Sequence, residues 1–473
     1  MNSDKISYKP LYLQVRDVLL KRIDDDVYQD GDTIPTEAKL AEEFGTSVTT
    51  IRQALTLLVN DGILIKKQGK GTSVSRQKTK LTFFSWLPET ERGAAILRET
   101  IHTFEQKHPS ITIECISTPY NRARKNLLKL ISAGDAPDVA HIQSHWTSYF
   151  SSMGAFEYLE PLLDKSNLDN RFYEKDLIGG MYRNKMYSTA WGLCPVSLIT
   201  NKRMLQEAGI PPMTPPLMFD ELFDMCRTLD RFYEGEDKYC YALNVSIDQE
   251  SDFLTLYSFL LAFDGSFVNE EGEVIFNSPG NIAAFTWLRN FVNSVRVYKS
   301  TIHDIRKRFA RGDIAFMEDG PWIKYQLEEY TGEPFEQNFK VILNPVRDAT
   351  LKSRSWNYNH ALAICSQSQY KTQAARFIDA LTNDYDISNA YFSQVGHLPT
   401  NRNHLNAPMY ETEFFNAYKQ QMTHASCLNA QNASFSKAMI FCTDAVKKIL
   451  YGAVDIETEL NEKEYYLNML YSD

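Results

Sequence analysis

Three short apolar stripes at helical spacing, followed by two β-prone segments around a basic, glycine-bearing tip, occupy the first eighty residues and leave them little choice of fold. The first stripe is Leu11, Val15, Val18, Leu19 and Ile23. Asp30-Gly31-Asp32 breaks it, and Pro35-Thr36 supplies the N-cap of a second helix whose Leu40, Ala41 and Phe44 face inward before Gly45 ends it. A third helix opens at Thr46-Ser47. Its Val48, Ile51, Leu55, Leu58 and Val59 form the buried stripe, and Thr49, Arg52, Gln53 and Thr56 form a polar face. Arg and Gln each make paired hydrogen bonds to base edges, so this face suits a major groove better than plain solvation. Ile63-Leu64-Ile65 and Thr72-Ser73-Val74 read as strands around Lys66-Lys67-Gln68-Gly69-Lys70-Gly71, a wing able to approach a phosphate backbone.

Charge divides the chain at the same place. Residues 1–80 hold 13 Lys+Arg against 11 Asp+Glu, whereas the remainder holds 37 against 49, a poor surface for DNA. A length of 473 residues allows about three folding units, one small domain and one two-lobed domain. No run of about 18 apolar residues reads as a membrane span, and Met1-Asn2-Ser3-Asp4-Lys5-Ile6 has no apolar leader, so a cytoplasmic protein is expected. Seven cysteines without a Cys-x-x-Cys pair suit a reducing compartment and core positions.

The N-terminal segment resembles the GntR-type winged helix-turn-helix regulators. The resemblance rests on Ile34-Pro35-Thr36-Glu37, Leu40-Ala41-Glu42-Glu43-Phe44-Gly45-Thr46-Ser47, Thr49-Thr50-Ile51-Arg52-Gln53-Ala54-Leu55 and Gln68-Gly69-Lys70-Gly71-Thr72. It implies DNA contacts from Thr36, Glu37, Ser47, Thr49, Thr50, Arg52, Gly69 and Gly71, to which the polar face adds Gln53 and the basic tip adds Lys70. Two departures stand out. Val48 occupies the position where the family often has arginine, and Ala38 follows Glu37 where a second long polar residue is usual.

A five-residue linker, Arg76-Gln77-Lys78-Thr79-Lys80, is expected to reach only about 16 Å when extended, which keeps the two parts close. Beyond it the pattern alternates: a strand at Leu81–Trp86, a helix at Ala94–His108, a strand at Ile111–Ile116, a helix at Ala123–Ala133 and a strand ending at His141-Ile142. Ligands lie at the carboxyl ends of strands in such sheets, which puts Trp86 and His145-Trp146 on one rim.

This longer part, 81–473, resembles the extracellular solute-binding proteins of sugar uptake, a two-lobed periplasmic-binding-protein-like α/β fold. The carrying segments are Ala136-Pro137-Asp138-Val139, Tyr187 to Lys202, Pro215-Pro216 to Leu222, Phe309-Ala310-Arg311-Gly312-Asp313-Ile314-Ala315-Phe316-Met317-Glu318-Asp319-Gly320-Pro321-Trp322, and Gly396-His397-Leu398-Pro399-Thr400-Asn401. Similarity places lobe crossings near Thr189–Trp191 and Asn359–Leu362, giving one lobe of about 81–190 plus a segment after 361 and another of about 192–357 plus the C-terminal helices. The stretch Ser353 to His360 replaces the usual glycine-rich one, so that side of the cleft is rebuilt.

The fold implies a sugar or oligosaccharide ligand, with Trp86, Trp146, Trp191, Trp322, Trp356 and Tyr358 stacking on pyranose faces and Gln143, His145, Asp319 and Asn357 bonding to hydroxyls. Rim and core suit Trp146 and Trp191 equally, and Trp287 reads as core. His102, His108, His141, His145 and His303 show no metal-ligand spacing, and no paired acid and nucleophile can be placed, so no metal, cofactor or catalysis is expected. Two alternatives compete with a homodimeric, sugar-responsive repressor acting on operator DNA. One is a solute-binding receptor. The other is an aminotransferase-like regulator holding pyridoxal phosphate, suggested by Ser434-Phe435-Ser436-Lys437 and opposed by the 36 residues that follow it.

Overall fold

The computed structural model describes residues 10–472 apart from 26, 61, 68, 70, 76–77, 164–177, 214, 245–250, 270 and 427–430. Its N-terminal module is a winged helix: α1 (Leu11–Asp24), α2 (Glu37–Glu43), α3 (Val48–Asn60), and the antiparallel pair β1 (Leu64–Lys67) and β2 (Gly71–Val74). Thr36 caps α2 by accepting from the Lys39 N–H. Val15, Leu19, Ile23, Leu40, Ile51, Ala54, Leu58, Leu64 and Val74 make the core, each large side chain adding about 1.5–3 kcal/mol through burial. Three stripe residues depart from expectation. Leu11, Val18 and Val48 are 50%, 42% and 39% exposed. Val48 is the first residue of α3, outside the arc that packs on α1, and it faces solvent.

The connection to the larger domain is tighter than the expected five-residue linker. Ser75 N–H donates to the Ile63 carbonyl at 2.9 Å, and the first strand of the larger domain, β3, already begins at Thr79. Arg76 and Gln77 lie outside the described residues. Gly62 turns at φ +71°, and a Cβ there would sit 3.6 Å from Thr79 Oγ1 and 3.7 Å from Gln373 Nε2. The module therefore abuts the larger domain.

That domain has two lobes, each built on a mixed sheet. The first sheet runs, in spatial order, Leu398–Pro399, Thr189–Leu193, His360–Ile364, Val139–Gln143, Thr79–Ser85 and Ile111–Ser117. The Thr79–Ser85 strand pairs in parallel with both its neighbours, whereas His360–Ile364 runs antiparallel to its two. The second sheet runs Val297–Ser300, Tyr239–Asn244, Ile314–Asp319, Ser197–Asn201 and Phe339–Ile342. The chain leaves the first sheet after Leu193, returns at His360, and leaves again after Pro399 for the helices Glu413–Thr423, Phe435–Tyr451 and Ile456–Tyr471 on the second lobe. Thr189–Trp191 and, within the expected Asn359–Leu362, the residues from His360 on are strand residues of the first sheet, beside the points where the chain leaves and returns. Among the described residues no helix is long and apolar enough to cross a membrane.

Candidate functional site

Two surfaces carry the polar chemistry that packing does not explain. On the winged helix, Ser47 caps α3: its Oγ accepts from the Thr50 N–H at 3.1 Å and shares a hydrogen bond with Thr50 Oγ1 at 2.8 Å. Thr49, Arg52, Gln53 and Thr56 are exposed along the same helix. Arg52 donates twice to Glu37 Oε2, at 3.0 and 2.8 Å, and Lys66 of the wing donates to Glu37 Oε1 at 2.9 Å. Arg52 first and Lys66 second hold the Glu37 carboxyl below its usual range. Glu37 thus ties α2, α3 and the wing into one surface. Gly69 and Gly71, at φ +74° and +84°, form the wing turn in a conformation that side chains resist; Lys70 lies outside the described residues.

The second surface is the seam between the lobes. Strand direction puts Ser85, Gln143, Leu193 and His360 at one edge of the first sheet, where Trp86, Trp146, Cys194 and His397 adjoin or closely follow the strands, all of them buried and the two tryptophans packed in a core cluster of the first lobe. Opposite it, Asp319-Gly320-Pro321-Trp322 ends a strand of the second sheet. The lobes are closed on each other. Trp322 is half-buried and lies nearly parallel to the His360 ring at 6.2 Å, and edge-on to Tyr358 and His397 at 6.0 Å each. Tyr120 and Tyr358 share a hydroxyl hydrogen bond, Arg92 sits 4.6 Å over the Tyr325 ring, and Ser148 Oγ donates to the Asn432 carbonyl at 3.1 Å.

Several residues named from the sequence meet here. Trp86 stacks on His141 at 3.6 Å and lies edge-on to Trp146 at 5.9 Å and Tyr120 at 5.5 Å. Gln143 is 1% exposed, and neither end of its amide has a partner among the described residues; the Trp146 indole N–H is in the same position. His145 sits 5.8 Å from the Tyr358 ring. Others are packed into a core or already engaged. Trp191 is fully buried and stacked on Tyr391 at 4.3 Å, because both faces of its strand are covered. Trp356 is 2% exposed and packs in the core of the second lobe, edge-on to Tyr257 and to Tyr358. Asp319 holds Arg306 in a buried two-pronged pair at 2.7 and 2.9 Å and accepts from Gly320 N–H, so its oxygens are already engaged. Asn357 is buried, its N–H donating to the Ser426 carbonyl. Trp287 packs among Phe219, Phe259 and Phe291, and Lys437 is exposed on the Phe435–Tyr451 helix.

Three further histidines meet at this edge: His141, which shows no metal-ligand spacing in the sequence, and His360 and His397, which the sequence does not single out. His141 Nδ1 shares a hydrogen bond with Ser85 Oγ at 3.0 Å, and its Nε2 shares one with His360 Nδ1 at 2.9 Å. His397 lies 4.5 Å from the His360 ring. Burial, reinforced by their neighbours in the case of His141 and His360, pushes all three below the usual histidine range, His397 to about 3. The available signal was the alternation His141, Gln143 on one strand, polar groups two apart on a face that is otherwise apolar.

Comparison with known proteins agrees with this architecture. Residues 99–418 match the bacterial extracellular solute-binding protein family, and residues 11–74 match the bacterial regulatory proteins of the gntR family. A probable fructoselysine utilization operon transcriptional repressor of Shigella flexneri is 35% identical over 147 residues, which cover 30% of this chain and 60% of that protein. An ABC transporter solute-binding protein of Thermotoga lettingae, solved with α-D-tagatose, superposes with a TM-score of 0.73 at 21% identity, over 83% of this chain and 100% of that one. The GacH receptor of Streptomyces glaucescens, solved unliganded and with acarbose, gives 0.72 at 19% identity, over 84% and 99%. These likenesses identify the fold. The chain belongs to the bacterial extracellular solute-binding protein family, with a gntR-family winged helix at its N-terminal end.

Proposed function

We propose that this protein is a sugar-responsive transcription repressor, in which residues 1–75 bind operator DNA as part of a homodimer and residues 81–473 sense a sugar or oligosaccharide in the cytoplasm. The observation that carries this reading is the join. The wing strand ends at Val74, an inner strand of the sensing sheet starts at Thr79, and the Gly62 turn packs on both Thr79 and Gln373. A lobe movement that shifts the first sheet therefore shifts the winged module. Two modules bridging a two-fold operator would read that shift as a change in half-site spacing. Trp86, Trp146, Trp322 and Tyr358 supply the aromatic rim, and Gln143 supplies a buried amide with donor and acceptor to offer a hydroxyl. The matched repressors and sugar-bound structures support the same pairing of roles.

The test begins with a thermal-shift screen of sugars on the purified protein, since a ligand of the native state must raise its melting temperature. Sugars that score are then added to gel shifts on DNA from the protein's own upstream region. Retarded DNA that a scoring sugar releases supports the reading. A chain that binds no such DNA, or DNA binding indifferent to every scoring sugar, contradicts it.

A further inference from the structure

Cys194, His360 and His397 converge at the floor of the lobe seam although they come from three segments far apart in the chain. Each belongs to, or adjoins, one of three neighbouring strands: Cys194 follows Thr189–Leu193, His360 opens His360–Ile364, and His397 precedes Leu398–Pro399. All three are buried, and their potential ligand atoms lie within 4.8 Å of one another. From this geometry we propose a binding site for a divalent transition-metal ion of the zinc class, held by the Cys194 thiolate and the His360 and His397 imidazoles. The inference stands apart from the sugar reading.

Three features favour an ion over ordinary packing. First, the donor set is one thiolate and two imidazoles, which suits zinc-class ions and not the all-oxygen preference of calcium or magnesium. Second, His360 is oriented from behind. Its Nδ1 is engaged by His141 Nε2 at 2.9 Å, and His141 is in turn engaged by Ser85 at 3.0 Å, the outer-layer hydrogen bonding that fixes the tautomer of a ligating histidine. The proposal gives the other nitrogen, Nε2, to the ion. Third, His397 Nδ1 is buried without a hydrogen-bond partner among the described residues. It occupies space left open by Gly192, where a Cβ would come within 2.9 Å of that nitrogen.

Tetrahedral bonds of about 2.0–2.3 Å set ligand atoms about 3.3–3.6 Å apart, so the three groups must close in by about 1 Å. The thiol proton leaves to solvent on binding, and the neutral imidazoles release none. Three protein ligands leave a fourth position open. Trp322 covers this side of the cluster from the second lobe, 6.2 Å from the His360 ring and 6.0 Å from His397.

The test uses the full chain, stripped with a chelator and titrated with Co²⁺ and then Zn²⁺. One equivalent of Co²⁺ should produce intense visible bands of a tetrahedral ion together with near-ultraviolet thiolate charge transfer, and Zn²⁺ should displace both. Cys194→Ser should abolish the charge transfer, while Gly192→Ala, which removes no ligand but crowds His397, should weaken Co²⁺ binding at least tenfold. Zn²⁺ should also shield Cys194 from a thiol reagent in the wild type, mapped by mass spectrometry, a readout that survives if a variant fails to fold. Wild-type protein that shows no charge transfer, or a charge-transfer band that persists in folded Cys194→Ser, overturns the assignment. Labelling of Cys194 that proceeds in the metal-free protein and is unaltered by Zn²⁺ overturns it equally.

Discussion

Arg52 and Glu37, fifteen residues apart, are joined by two hydrogen bonds from the guanidinium to a single carboxylate oxygen, at 3.0 and 2.8 Å. The carboxylate on the helix before the recognition helix thereby aims the one cation of that helix's polar face, and its other oxygen does the same for Lys66 of the wing. On the proposed function, Glu37 organises the DNA-facing surface. Its own negative charge opposes phosphate, and what it contributes is the placement of two cations.

Arg52→Ala should weaken operator binding about ten- to a hundredfold, the worth of a lost bidentate base contact, while melting temperature and sugar binding stay as in the wild type. Glu37→Gln should act differently. It loosens Arg52 and removes a charge from the face, so affinity for operator should fall while affinity for unrelated DNA rises. Anisotropy titrations against both DNAs measure the ratio; a specificity ratio unchanged in Glu37→Gln removes the organising role.

Val48 stands exposed at the first position of the recognition helix, where the resemblance leads one to expect arginine. A valine there can touch a thymine methyl but cannot make the paired bonds that guanine accepts. Val48→Arg should therefore shift base preference at one position of each half-site toward guanine without lowering stability. Selection of bound sequences from a randomised operator pool reads this directly. Identical sequence preferences for the two proteins would place Val48 off the DNA.

The two tryptophans Trp322 and Trp191 should part company on substitution. Trp322→Ala removes a half-buried ring from the seam and should weaken sugar binding with a modest loss of stability, whereas Trp191→Ala opens a hole in a closed core and should cost about 3–5 kcal/mol. Denaturant unfolding and sugar titration on both variants separate the cases. Trp322→Ala with full sugar affinity would return Trp322 to a packing role.

Glu318 gives the fold a pH dependence of known sign. It is buried beside the Tyr241 hydroxyl, which donates to Oε1 at 3.3 Å, while Oε2 has no partner among the described residues, and burial pushes its carboxyl up to about 8. The folded protein keeps this proton from pH 4.5 upward while the unfolded chain loses it, so stability falls between pH 4.5 and about 8. Glu318→Gln lacks the penalty and keeps an acceptor for Tyr241. Its gain in unfolding free energy over the wild type, followed by denaturant unfolding, should be small at pH 5 and largest at pH 8, on the order of 2–5 kcal/mol. Burial lowers His108 to about 4, which works in the opposite direction as pH falls below 6.5, and the comparison at equal pH cancels it. A gain that does not grow with pH would show that Glu318 ionises freely in the fold.

The winged helix was legible because its information is local. Stripes at three/four spacing, the Thr36 cap and the wing glycines each declare themselves within a few residues, and only edge positions such as Leu11, Val18 and Val48 were misplaced, since a stripe does not reveal where its arc ends. The seam was only partly legible because it is assembled across the chain. His141 and His360 are 219 residues apart, and no spacing rule connects them. Asp319 read as a hydroxyl acceptor until Arg306, thirteen residues earlier, was seen to occupy it. Trp191 read equally as rim or core because a strand covered on both faces carries the same residue types as a rim strand.

The most direct test of the account is reciprocal linkage between the two ends of the protein. Operator affinity is measured by anisotropy at rising concentrations of a sugar that raises the melting temperature, and sugar affinity is then measured with and without saturating operator. Saturating sugar should weaken operator binding by about 5- to 150-fold and operator should weaken sugar binding by the same factor, with Trp322→Ala needing far more sugar to reach the same release. Sugar that binds tightly while operator affinity stays constant would contradict it.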